Sequence, residues 1–91
     1  MITTIEMLRS GPGHVISFSA MADAEGANET VSVTIGGRRY ATQVKIGPLE
    51  IVTYSIAHNE TGRQVVSLAA ESSNVSSKRL LDLDDPTNVL G

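Results

Sequence analysis

The chain has 91 residues, a formal net charge of −3, 19% charged residues and no cysteine. That length makes one domain at the small end of what folds unaided; no disulfide can staple it, and two histidines, His14 and His58, are too few for a zinc cluster. The mild, mixed charge lacks the basic footprint of a nucleic-acid binder, so nucleic acid is not an expected partner.

Met1 to Arg9 shows no basic start followed by a long apolar run, and no stretch approaches 18 apolar residues. Neither a secretory signal nor a membrane span is expected, which leaves an intracellular, cytoplasmic or virion location as the expectation. Ile2, Ile5 and Leu8 are spaced as on a helix, whereas Thr3 and Thr4 suit a strand. Gly11-Pro12-Gly13 is expected to sever residues 1–13 from the body as an extended N-terminal segment.

From His14 to about Ala20 the chain alternates, with Ile16, Phe18 and Ala20 on one face and Ser17 and Ser19 on the other, as a half-buried strand does. Ala20 to Ala27 reads as a loop or one helical turn, with Gly26 and Asn28 as its stop. Val31, Val33 and Ile35 then alternate with Ser32 and Thr34. Gly36-Gly37 follows, the two-residue connection of a tight hairpin. Its return strand, Arg38 to Ile46, sets Tyr40, Thr42, Val44 and Ile46 against Arg39, Ala41, Gln43 and Lys45. This hairpin, from about Thr30 to Ile46, is the firmest local pattern in the chain.

Gly47-Pro48 breaks the run, because proline offers no ladder donor. Leu49 to Ala57 is apolar on both faces and is therefore expected at the centre of a sheet. His58 to Gly62 is built of turn formers. Gln64 to Glu71 forms a further strand, with Val66, Leu68 and Ala70 inward. Five strands about ten residues apart imply an all-β fold, a small antiparallel β-sandwich or barrel of about 5–6 strands over residues 14–71. Only Phe18, Tyr40 and Tyr54 are aromatic, so its core is expected to be thin. Residues 72–91 read as a C-terminal linker and arm: Ser72 to Ser77 is polar, and Leu80, Leu81, Leu83, Val89 and Leu90 follow it.

No catalytic constellation stands out. There is no nucleophile elbow of the form Gly-x-Ser-x-Gly, and no phosphate loop, for which the glycines would need a following Lys. His58 beside Asn59 and Glu60 reads as a solvated turn residue, and His14, opening a strand, as a surface or edge residue. Asp82, Asp84 and Asp85 lack the mid-loop glycine and closing glutamate of an EF-hand and read as a solubilising turn. The Asn-x-Ser/Thr triplets at Asn28, Asn59 and Asn74 are frequent by chance in a chain this rich in Ser and Thr. Arg38, Arg39 and Lys45, with Tyr40 between them, fit either a phosphate contact or a charged strand edge guarded against unwanted pairing.

The expectation is therefore a non-enzymatic module without cofactor or metal, acting in protein–protein interaction or assembly, such as a structural component of a phage virion. Its protein partners would form a homo- or hetero-oligomer with it through Leu80, Leu81, Leu83, Val89 and Leu90 and through Arg38, Arg39 and Tyr40. The alternatives are a small inhibitor of a larger protein or nucleoprotein complex, such as an anti-defence protein, and a carbohydrate-binding accessory module. The scarcity of aromatics counts against the last.

Overall fold

Gly36 and Gly37 both take positive φ, 57° and 83°, which is what a tight hairpin whose twist matches its strands requires. They join β3 (Ala27–Ile35) to β4 (Arg38–Ile46), with Ile35 opposite Arg38 and Val33 opposite Tyr40. The period-two pattern sets the faces: Val31, Val33, Ile35, Val44 and Ile46 are buried, and Thr34, Arg39 and Lys45 are exposed.

The computed structural model describes residues 1–11 and 14–84. The remaining strands are β1 (Ile2–Gly11), β2 (Val15–Ala22), β5 (Ile51–Ala57), β6 (Arg63–Ala70) and β7 (Val75–Asp82), with a 3-10 turn at Glu71–Ser73. They form two antiparallel sheets, one in the order β1-β2-β5 and the other in the order β4-β3-β6-β7. This is a seven-stranded sandwich. Its strand order matches the immunoglobulin constant type except that the fourth strand lies in the sheet of strands three, six and seven. The buried side chains of both inner faces, led by Phe18, Ile2, Met7, Ile16, Ile35, Leu68 and Leu81, make one core.

Two hydrogen-bonded side chains close the gaps between the sheets. At one margin the Ile2 amide donates to Ser73 Oγ (2.9 Å), and the Ser73 hydroxyl donates to Glu29 Oε2 (2.5 Å). At the other, Tyr54 reaches from β5 to the outer edge of β4. Its hydroxyl donates to the Lys45 carbonyl (3.0 Å) and accepts the Lys45 amide (3.1 Å). Those are the backbone groups an edge strand otherwise leaves open.

Three expectations change. Of the expected N-terminal segment 1–13, residues 1–11 are not separate from the body, since β1 pairs along β2 and buries Ile2 and Met7; Pro12 and Gly13 lie outside the described residues. The helix-like spacing of Ile2 and Ile5 marks a bulge: the register shifts between Ile2 and Thr4, which lets residues an odd number apart face the same side. Residues 72–91 are likewise not a free linker and arm as far as Asp84. After Asn74 turns the chain at φ 56°, β7 pairs with β6 from Val75 to Asp82. Leu81 and Leu83 are buried in the domain's own core. The strand count accordingly rises from five or six to seven. Third, β5 lies at a sheet edge and β2 takes the centre; the apolar outward face of β5, which suggested a central strand, gives Ile51 to solvent rather than to another layer.

Candidate functional site

Among the residues singled out in the sequence, the β4 group does not converge. Alternation along the strand sends Arg39 to the outer face, where its guanidinium lies 3.6 Å from Glu71 Oε1, and turns Tyr40 toward the core. Lys45 stands at the far end of the strand. Leu80 is exposed on β7 opposite Val65, while Leu81 and Leu83 face inward. Val89 and Leu90 lie outside the described residues.

Tyr40 instead belongs to a polar cluster at the end of the sandwich where β2 begins and β5 ends. Its hydroxyl donates to Glu60 Oε2 and accepts the Asn59 amide (3.4 Å). Arg38 Nε lies 4.0 Å from the same carboxylate. His58 is 4% exposed, and its ring meets those of His14 and Tyr40 edge-on, with centroids 5.7 and 6.2 Å away. The Glu60 amide donates to His58 Nδ1 at 3.1 Å. That bond needs a free lone pair, so the ring proton sits on Nε2, a buried atom with no hydrogen-bond partner among the described residues. Burial holds the His58 pKa below its ordinary 6.5, the His14 ring adds to the effect, and Glu60 opposes it. With Nδ1 occupied by an amide and Nε2 carrying the proton, His58 has no lone pair for a metal. No group of three or more His, Asp or Glu among the described residues is placed to hold one.

Asp82 and Asp84 accept backbone amides in a turn, and Asp85 lies outside the described residues. Asp84 accepts the Gly62 amide (3.1 Å), and Asp82 accepts the Asp84 amide (3.1 Å). Together with the Leu83 amide on the Gly62 carbonyl (2.8 Å), they pin the end of β7 to the loop at 58–62.

The opposite end of the sandwich holds a feature that propensity does not explain. Gly47-Pro48-Leu49-Glu50 closes on a Glu50 amide to Gly47 carbonyl bond of 3.1 Å. Proline cannot take positive φ, whereas Leu49 has φ 58°. That is a type II turn with leucine where glycine or asparagine is expected. The Asp23 carbonyl accepts both the Leu49 amide (2.9 Å) and the Gly26 amide (3.1 Å), so this turn and the Asp23–Gly26 turn brace each other. Ala22 donates to the Glu50 carbonyl (3.1 Å) and continues the ladder.

The result is a stiff projection with Leu49 70% and Ile51 67% exposed. Ile51 has Met21 as its cross-strand neighbour. Beside it lies an open hollow of about 340 Å³, lined by Glu25 to Asn28 and Lys45 to Pro48. Its floor needs Gly26, with φ 77°, because a Cβ there would meet the Ile46 carbonyl at 2.8 Å. Sequence reading took Gly47-Pro48 as a break and missed this site. The available signal was a proline followed by a non-glycine that two flanking strands force to turn sharply.

Comparison with family models, with curated proteins and with solved structures finds no match for this chain. No helix among the described residues is long and apolar enough to cross a membrane.

Proposed function

We propose that the protein is a non-catalytic interaction or assembly module and that it contacts another protein through the end of the sandwich bearing Leu49 and Ile51. One observation carries this reading: an aliphatic side chain is held in solvent on a left-handed backbone. That conformation costs an L-residue roughly 1–2 kcal/mol, and a mostly exposed leucine recovers little of it by burial. A leucine where the turn would hold glycine or asparagine without strain points to a side chain selected for contact. A stiff apolar projection suits that role, since little ordering entropy remains to be lost on binding.

The test is position-specific photo-crosslinking in the cells that make the protein. A photoreactive residue in place of Ile51 should give covalent adducts with protein, and Leu49→Asn in the same chain should remove them. The same residue in place of Thr34, exposed on the other sheet, should give none. Absence of adducts from position 51, or equal adducts from position 34, overturns the reading.

A further inference from the structure

Granted that this end is a contact surface, as proposed above, we infer that its partner is a second copy of the same chain, docked about a two-fold axis. In such an interface each surface must complement itself, so every group needs its counterpart on the same patch. This end supplies both halves. Leu49 and Ile51 project, and the adjoining hollow between residues 25–28 and 45–48 is concave, with Ala27, Ile46 and Pro48 for its apolar wall. Its volume of about 340 Å³ holds roughly ten waters at ~30 Å³ each, ample for aliphatic side chains.

Charge points the same way. Of the residues lining the hollow, Glu25 and Lys45 are charged and neither belongs to an ion pair among the described residues, while the Glu50 carboxylate stands against Gly47 at its rim. A two-fold axis pairs each Glu25 with Lys45 of the partner subunit and the reverse, which supplies two attractive contacts between copies of a chain with net charge −3. Gly26 and Gly47 keep the wall low: a side chain at Gly26 would strike the Ile46 carbonyl and one at Gly47 the Glu50 carboxylate, each at 2.8 Å.

The contact is small. The end face of a body 23 × 19 Å across offers about 440 Å², about half the ~800 Å² per partner of a standard interface. An interface of this size falls among weak, transient contacts, so association is to be looked for at high protein concentration.

The decisive experiment is sedimentation equilibrium on the whole chain up to about 1 mM, with a charge swap. The native protein should dimerise reversibly. Glu25→Lys and Lys45→Glu, both at solvent-accessible positions, should each weaken dimerisation by about tenfold or more, because each places like charges in contact. An equimolar mixture of the two variants should recover association. In the mixed dimer the lysine introduced at position 25 meets the glutamate introduced at position 45, and the native residues meet at the other pair. Leu80→Ser, toward the opposite end of the sandwich beside the start of β6, should leave the constant unchanged. A native protein that stays monomeric at 1 mM, or a mixture no tighter than either variant alone, overturns the second-copy inference. Adducts from position 51 to a different protein, with the chain monomeric, would overturn it while leaving the contact-surface reading standing.

Discussion

Replacing Leu49 by asparagine removes a left-handed leucine and installs a residue that tolerates the same φ. The structure sets both sides of the balance. Relief of the positive φ is worth roughly 1–2 kcal/mol. Leu49 is 70% exposed, so the burial forfeited is about a third of the ~1.5–3 kcal/mol for a fully buried leucine, or roughly 0.5–1 kcal/mol. The net expectation is a gain of about 0.5–1 kcal/mol, a rise of several degrees in Tm for a domain this size, at ~4–8 °C per kcal/mol. Leu49→Ala is the matched control. It forfeits the same burial and keeps the strain, so it should lose about 0.5–1 kcal/mol. Thermal and urea unfolding followed by circular dichroism would read both variants, and the gap between them, about 1 kcal/mol or more, isolates the strain. Equal midpoints for the two would mean that the backbone at Leu49 stores nothing, and the case for a selected projection would fall with it.

The same unfolding assay should separate neighbours on β7. Leu81→Ala should cost about 2–5 kcal/mol, as core truncations do, and Leu80→Ala, 60% exposed, less than about 1 kcal/mol; equal costs would put the β7 register off by one. Ser73→Ala strips the acceptor from the buried Ile2 amide and the donor from Glu29, for an expected loss of about 1–3 kcal/mol, whereas a change within 0.3 kcal/mol, about the limit of such comparisons, would mean that the seam between the sheets does not depend on it. His58 has a folded pKa below its unfolded 6.5, so the unfolded chain binds more protons once pH drops through that value. Its contribution is complete above about pH 6.5 and is lost as pH falls toward the folded pKa. His58→Gln should flatten the fall in urea-unfolding free energy between about pH 7 and pH 5, and a slope equal to that of the native chain would show that another group sets it.

The β3–β4 hairpin was legible because everything that specifies it is local. Gly36-Gly37 supplies two positive φ angles, and Val31, Val33, Ile35, Val44 and Ile46 keep period two, so turn, register and buried face all follow from adjacent residues. The all-β sandwich followed from the same alternation in β2 and β6. The ends were not legible in this way. Ile2 and Ile5 mimic a helix because a bulge breaks the period. Ser72 to Ser77 mimics a linker because its polar side chains are mostly exposed, while what orders it, the pairing with β6 and the bonds of Ser73 to Ile2 and Glu29, comes from distant residues. Whether Leu81 is an arm or a core residue depends on Gln64, its neighbour 17 positions earlier across the ladder, and no local pattern encodes that partner. Leu49 is the clearest case. Pro48 announces a turn, but the sign of φ at the next residue is set by the Asp23 carbonyl 26 positions away, which holds the Leu49 amide. Side-chain periodicity is a property of neighbouring residues and can be read along the chain; pairing, closure of the sheet margins and backbone strain arise from groups that meet only once the chain has folded.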